Sequence, residues 1–284
     1  MKRAWSVAGV TLALIGDDVP PVPGEKHELF AVDADEASLT LELSNAPVPP
    51  PGALPLLFDS GGVWKLYGDD SQRLYHFESH VFSPRLYKGI ALDAGYTKGT
   101  LYQPGVQPPL HPLDSPLEQV LFTHRLAREG AVELHCVGLV VNGRAVLLSG
   151  QSGVGKSTSA KLWRERFPDV EVLSDDRVVL RREGDGWRAW GTPWHGEGSF
   201  ASPGSAPLGA LVLLRHGASN VVSDVKPAEA VRELYRLTFP PVWDAEGVGR
   251  VLDSLASVVQ TTRVHRYDFV PDVSAVDALV KALS

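Results

Sequence analysis

Short runs with the two-residue alternation of strands fill the N-terminal part of the chain, at residues 38–43, 63–67, 73–77, 88–92 and 100–102. Glycine, aspartate and proline separate them, which predicts an antiparallel β region. Gly68-Asp69-Asp70-Ser71 reads as a hairpin loop, and residues 46–55, with five prolines, cannot lie inside a sheet and read as a connector. Val7, Val10, Leu12, Leu14 and Ile15 form a partly β-branched segment ending at Asp17-Asp18, which suits an N-terminal strand. The aromatic residues Trp64, Tyr67, Tyr75, Phe77, Tyr87, Tyr96 and Tyr102 lie on or beside these strands, where such side chains usually fill a core; lining a peptide groove is the alternative.

A second proline cluster, residues 104–116, precedes a change of pattern. Ser115-Pro116-Leu117-Glu118 supplies an N-cap, a proline at the first helical position and a glutamate at the third, so a helix should begin there and stop at Gly130. Two apolar strands, 132–141 and 144–149, follow, joined by Asn142-Gly143, a tight-hairpin dipeptide. Next come a helix at 157–167, a strand at 170–174 and a hairpin of strands 178–182 and 187–190. A strand at 208–215, helices at 228–237 and 244–262, a strand at 264–269 and a helix from Ser274 complete the pattern. The strand before residue 150 is antiparallel to its predecessor, so the expected class is α/β with a mixed sheet rather than a purely parallel one. Two domains are expected, a smaller β-rich one at 1–112 and a second at 113–284.

With 284 residues and 44% hydrophobic content, the chain can bury a substantial core. A net charge of −7 and the lack of a long basic cluster argue against nucleic acid as a partner. The single cysteine, Cys136, excludes an internal disulfide and suits a reducing cytoplasm. Lys2-Arg3 and the apolar residues after it superficially resemble a secretion signal, but Trp5, Ser6, Gly9 and Thr11 interrupt the run and no small-x-small site follows. No other run is long enough to span a bilayer, so no membrane partner is expected.

The chemistry concentrates at Gly150-Gln151-Ser152-Gly153-Val154-Gly155-Lys156-Ser157, which fits the phosphate-binding template G-x-x-x-x-G-K-[ST] at every fixed position and follows an apolar strand. Glycines let main-chain N–H groups turn onto phosphate oxygens, Lys156 adds a positive charge, and the Ser157 hydroxyl can ligate Mg²⁺. Gly150, Ser152, Gly153, Val154, Gly155, Lys156, Ser157 and Thr158 are the expected nucleotide contacts, with ATP and Mg²⁺ as cofactors. Asp175-Asp176, after the strand at 170–174, supplies carboxylates for a metal ligand and for a group that accepts the attacking hydroxyl's proton. Neighbouring strand residues point to opposite sides, so both can serve one site only if the strand ends there.

His135, the loop Gly150 to Ser157 and Ser174-Asp175-Asp176 together resemble the HPr kinase/phosphorylase family, whose fold is akin to phosphoenolpyruvate carboxykinase. The domain is also similar to HPr-kinase-like proteins of peptide-modification clusters, including kinases of a lasso-peptide serine. The resemblance implies that Asp175 is the catalytic base with His135 hydrogen-bonded to it, that Asp176 and Ser157 hold Mg²⁺, and that the chain can form a homo-oligomer. Thr158 replaces a glutamate common after the loop serine, and the family's C-terminal glycine-rich signature is missing; both point away from HPr as substrate. In its place stands Gly191-Thr192-Pro193-Trp194-His195-Gly196-Glu197-Gly198, where Glu197 is a candidate third metal ligand and Trp194 and His195 are candidate contacts to acceptor or nucleotide. Arg177 and Arg215 are candidates for stabilising charge on the phosphoryl group, and Cys136 reads as a packing residue. The expected function is an ATP- and Mg²⁺-dependent kinase acting on a hydroxyl, a serine of a peptide or protein. A nucleotide-sensing interaction protein without transfer and a small-metabolite kinase stay open beside it.

Overall fold

Ala8 and Gly9 take left-handed backbone conformations, with φ of 49° and 82°, and fold the apolar N-terminal run back on itself. The single strand expected there is therefore two, β1 (Lys2–Val7) and β2 (Val10–Ile15), paired antiparallel. The computed structural model describes residues 1–21, 23–33 and 37–283; Ser284, the last residue of the expected second domain, lies outside the described residues. A one-turn helix α1 (Glu25–Glu28) follows, then β3 (Leu39–Ser44), β4 (Leu56–Asp59), β5 (Trp64–Gly68), β6 (Gln72–Glu78), β7 (Leu86–Asp93) and β8 (Lys98–Tyr102). They form one eight-stranded sheet in the order β1-β2-β3-β8-β7-β6-β5-β4. The loop at residues 68–71 joins β5 and β6 as an antiparallel hairpin. The sheet is nevertheless mixed, because β3 runs parallel to both β2 and β8. Both pairings join strands separated by long connections, and a parallel pair needs such a crossover.

Trp64, Tyr75, Phe77, Tyr87 and Tyr96 are buried, and the Tyr75 and Tyr96 hydroxyls lie 2.6 Å apart in a hydrogen bond. These rings fill the core. Lys88 is 1% exposed, and its ammonium donates to the carbonyl oxygens of His111, at 3.3 Å, and Asp114, at 3.5 Å. Burial lowers its pKa from 10.5 to about 8, against the opposing charge of Asp114. Between those values the unfolded chain keeps the proton that the folded chain has released, so stability rises with pH. Urea titrations from pH 7.5 to 10.5 are expected to show wild type gaining stability relative to Lys88→Met; parallel profiles would contradict the assigned shift.

Helix α2 (Leu117–Arg128) ends before Gly130, which has a φ of 71°. The chain divides within this helix into two compact units, Met1–Phe122 and Thr123–Ser284. The second unit contains β9 (Val132–Val141), β10 (Arg144–Ser149), α3 (Lys156–Arg166), β11 (Glu171–Ser174), β12 (Arg177–Glu183), β13 (Gly186–Trp190) and β14 (Ser205–His216). It continues through β15 (Val221–Asp224), α4 (Pro227–Tyr235), α5 (Ala245–Thr261), β16 (Val264–Phe269) and α6 (Val273–Leu283). Asn142 and Gly143 both have positive φ, 50° and 73°, as a tight hairpin between β9 and β10 requires.

The strand order is β10-β9-β12-β13-β14-β16-β15, with β11 also on β9. β10 pairs with β14 as well, in parallel, so β9, β10, β14, β13 and β12 close a circuit. The long strands β9 and β14 make this possible, because their two ends belong to different neighbours. Ala145 and Leu147 of β10 face one core, capped by Ala230 and Leu234 of α4 and by Val251, Leu255 and Val258 of α5. Val146 and Leu148 face a second core, with Ala160 and Trp163 of α3 and Ala275, Val276 and Leu279 of α6. A strand covered on both faces reads as an unbroken apolar run, which is the pattern before the glycine-rich loop. The result is a mixed α/β protein with two large mixed β-sheets. Among the described residues no helix is long and apolar enough to cross a membrane.

Candidate phosphate-binding site

β10 ends at Ser149 and the chain swings through residues 150–155 into α3. Gly153 and Gly155 have φ of 80° and 99°, a region that side chains with a Cβ rarely adopt. A Cβ at Gly155 would also lie 2.9 Å from the Phe269 ring, and one at Gly150 would lie 2.7 Å from Cγ1 of Val154. Gly155 caps α3 without any side-chain hydrogen bond, so the first N–H groups of the helix remain for another acceptor. Lys156 is buried, and its Nζ donates to the carbonyl oxygens of Gly150, at 2.9 Å, and Gln151, at 3.1 Å. Burial lowers the Lys156 pKa, while the nearby Cys136 and Asp176 act in the opposite sense. Ser157 is half-buried on the first turn, and Ser152 and Thr158 are exposed. Uncapped amides, an enclosed ammonium and a hydroxyl on one helical turn suit a triphosphate with Mg²⁺.

The two aspartates occupy the bend between β11 and β12 and turn different ways. Asp175 is 2% exposed, and its carboxylate accepts N–H groups from Gly196, at 2.9 Å, Gly198, at 2.7 Å, and Phe200, at 3.2 Å. It anchors the 196–200 segment. Asp176 instead has one carboxylate oxygen 3.2 Å from His135 Nδ1 and the other 3.2 Å from Arg177 Nε. The expected His135–Asp175 hydrogen bond is thus replaced by a His135–Asp176 pair, because adjacent residues leaving a strand point to opposite sides. Burial acts to raise the Asp176 pKa, but the His135 hydrogen bond and the Arg177 charge outweigh it and hold the carboxyl below its ordinary value. His135 Nδ1 also lies 3.0 Å from the Asp176 carbonyl oxygen. Both neighbours of Nδ1 are acceptors, so that nitrogen carries the proton in the neutral ring and Nε2 keeps its lone pair.

Arg177 is engaged by its surroundings. Its Nη1 donates to Glu133 at 2.8 Å, and its guanidinium lies 3.8 Å from the centre of the Phe239 ring. Glu133 is itself buried; burial pushes its pKa up, opposed by Arg177 and by the Thr123 hydroxyl at 2.6 Å. An acidic residue between apolar strand positions is the signal that would have found this support. Cys136 is fully buried and its thiol is pushed well above the ordinary range, as a packing residue should be. Trp194 is also buried, and its carbonyl accepts the Ser174 hydroxyl at 2.8 Å, which gives it a packing role in place of the expected ligand contact. His195 and Glu197 are exposed. Among the described residues no three His, Cys, Asp or Glu side chains converge on a metal position. Mg²⁺ needs no such cluster, since it is commonly bound through one or two protein ligands plus phosphate and water.

No family model matches the sequence, and no curated protein matches it. Among solved structures, the chain is similar to the Hpr(Ser) kinase/phosphatase from Coxiella burnetii. The identity is 12%, the TM-score 0.30, and the match covers 53% of this chain and 92% of that one.

A cavity of about 490 Å³ opens beside Ser149, Gly150 and Gln151, walled by the C-terminal end of β14, by β16 and by α4. Arg215, at the end of β14, lines it and lies 3.5 Å from Asp268.

Proposed function

We propose that this protein is an ATP- and Mg²⁺-dependent kinase that transfers the terminal phosphoryl group to a hydroxyl, that of a serine in a peptide or protein. The observation that carries the reading is the His135–Asp176 pair, whose carboxylate charge opposes the lowering of the Lys156 pKa by burial. A nucleotide-binding loop used only for sensing has no need of a proton-handling pair beside it. Bound Mg²⁺, held by Ser157 with Asp176 as the carboxylate on that side, would neutralise charge on the phosphate oxygens. Lys156 and the N-terminus of α3 bind and orient the phosphates. Asp176 fixes the proton on Nδ1 of His135, and Nε2 takes the proton from the attacking hydroxyl. Asp175, expected as base, is in this reading the brace that holds the 196–200 segment.

The reading is tested with γ-labelled ATP, Mg²⁺ and serine-containing peptides, with phosphoserine as the product. Calorimetry is expected to give heat for Mg-ATP with wild type, and Lys156→Ala to weaken binding by about tenfold or more, the loss of one charge-assisted contact. No heat with wild type would reject the nucleotide site. Binding without transfer to any serine would reject the kinase and leave a nucleotide sensor.

A further inference from the structure

Lys156 and the helix N-terminus already provide for a triphosphate, yet a second group of cations stands beside the same loop. Arg215 of β14, Arg266 of β16, Arg232 of α4 and Arg236 at its C-cap all line the 490 Å³ cavity that Gly150 and Gln151 border. Their charges are unequally compensated. Arg266 lies 3.0 Å from Glu229 and 2.7 Å from Glu233, although its Nε is a buried donor without an acceptor. Arg215 is 3.5 Å from Asp268 with its side chain 63% exposed. Among the described residues, neither Arg232 nor Arg236 has a carboxylate within ion-pair distance.

Two unpaired like charges four apart on a helix repel each other and cost a few tenths of a kcal/mol. The helix dipole favours Arg236 at the C-terminus but does less for Arg232, a turn earlier. Glu233 is the cavity's acidic lining residue, and Arg266 already occupies it. In a chain of net charge −7 this is a local positive surface in a concavity, where field lines concentrate and anions accumulate. Its volume is in the range that holds a small ligand or several side chains, far more than a hydroxyl needs. Arg232 and Arg236, one turn apart, suit two carboxylates in succession, and guanidinium forks bind carboxylates in a bidentate manner.

We propose that this cavity is the acceptor subsite and that it selects an acidic peptide segment, with carboxylate side chains flanking the reactive serine. The proposal rests on the kinase reading for the word acceptor, but the preference for carboxylates rests on the arginines alone. The probes are two end-blocked peptides, Glu-Glu-Ser-Glu-Glu and Gln-Gln-Ser-Gln-Gln, each measured for binding in the presence of a non-hydrolysable ATP analogue with Mg²⁺ and for phosphorylation with ATP. The acidic peptide is expected to bind about tenfold or more tightly than the neutral one, and more so at low salt. Arg232→Gln with Arg236→Gln should abolish that preference while leaving the melting temperature and nucleotide affinity unchanged, and the two Arg→Lys changes should restore part of it. Equal affinity for the two peptides would overturn the proposal. So would a double variant that loses nucleotide affinity as much as peptide affinity, because the arginines would then be nucleotide ligands. Arginine-dependent binding of the acidic peptide without phosphorylation would support the carboxylate site and count against the kinase.

Discussion

Asp176→Asn is expected to slow phosphoryl transfer by about 10²–10⁴-fold, the usual weight of acid–base assistance, with affinity for the nucleotide in the absence of Mg²⁺ changed far less. An amide at this position can still touch His135 and Arg177, so the fold and the loop persist. It can no longer hold the imidazole as a charged partner, and the proton that reaches Nε2 loses its compensation. His135→Gln should give a loss of similar size, and the double variant little more than either change alone, since the two act as one unit. Single-turnover assays with saturating ATP measure this directly. Full activity in Asp176→Asn would remove the pair from the reaction.

Asp175→Asn is expected to fail in a different way. Its carboxylate accepts three main-chain N–H groups, at 2.7 to 3.2 Å, in a place that is 2% exposed. The carbonyl oxygen of asparagine can keep the bonds from Gly196 and Phe200, which share one carboxylate oxygen, but its NH₂ meets the Gly198 N–H donor to donor, so the second unit should lose about 1–3 kcal/mol. For a unit of its size that is a fall in melting temperature of about 2–12 °C. Calorimetric scans of wild type and variant check it. Below its melting range the variant should retain transfer within about tenfold of wild type, much less than the loss at Asp176. The reverse ranking, a stable Asp175→Asn without transfer, would return the base to Asp175.

The phosphate loop was legible because its requirements are local: glycines at fixed spacing, one of them at positive φ, one lysine and a hydroxyl at the helix start. Helices α4 and α5 and the 142–143 hairpin were legible for the same reason, periodicity or a turn dipeptide confined to a few residues. Other features depend on distant partners. The turn between β1 and β2 places Ala8, with its Cβ, at positive φ, so no turn dipeptide marked it. β15 is mostly exposed and partly polar, and β4 presents Leu56 and Leu57 to solvent at a sheet edge; neither has the alternation that reveals a half-buried strand. The parallel placement of β3 depends on where long connections lead. The division of labour between Asp175 and Asp176 depends on the direction in which the chain leaves β11, and the amides that take Asp175 come from residues 196, 198 and 200. Arg232 and Arg236 gave no clue, because Glu229 and Glu233 each stand three residues before one of them; only the fold shows that Arg266 takes both glutamates and that β14, β16 and α4 meet around a cavity.

The circuit of strands around β10 has a mechanical consequence. With β9 on one flank and β14 on the other, the strand that delivers the chain to Gly150 cannot slide along either neighbour without breaking a ladder, so the loop is mounted on an immobile rail. Any tightening around the loop must come from its surroundings, among them α4, which walls the cavity beside Gly150 and Gln151. Altering α4 should therefore retune which molecules are accepted without disturbing the grip on their donor.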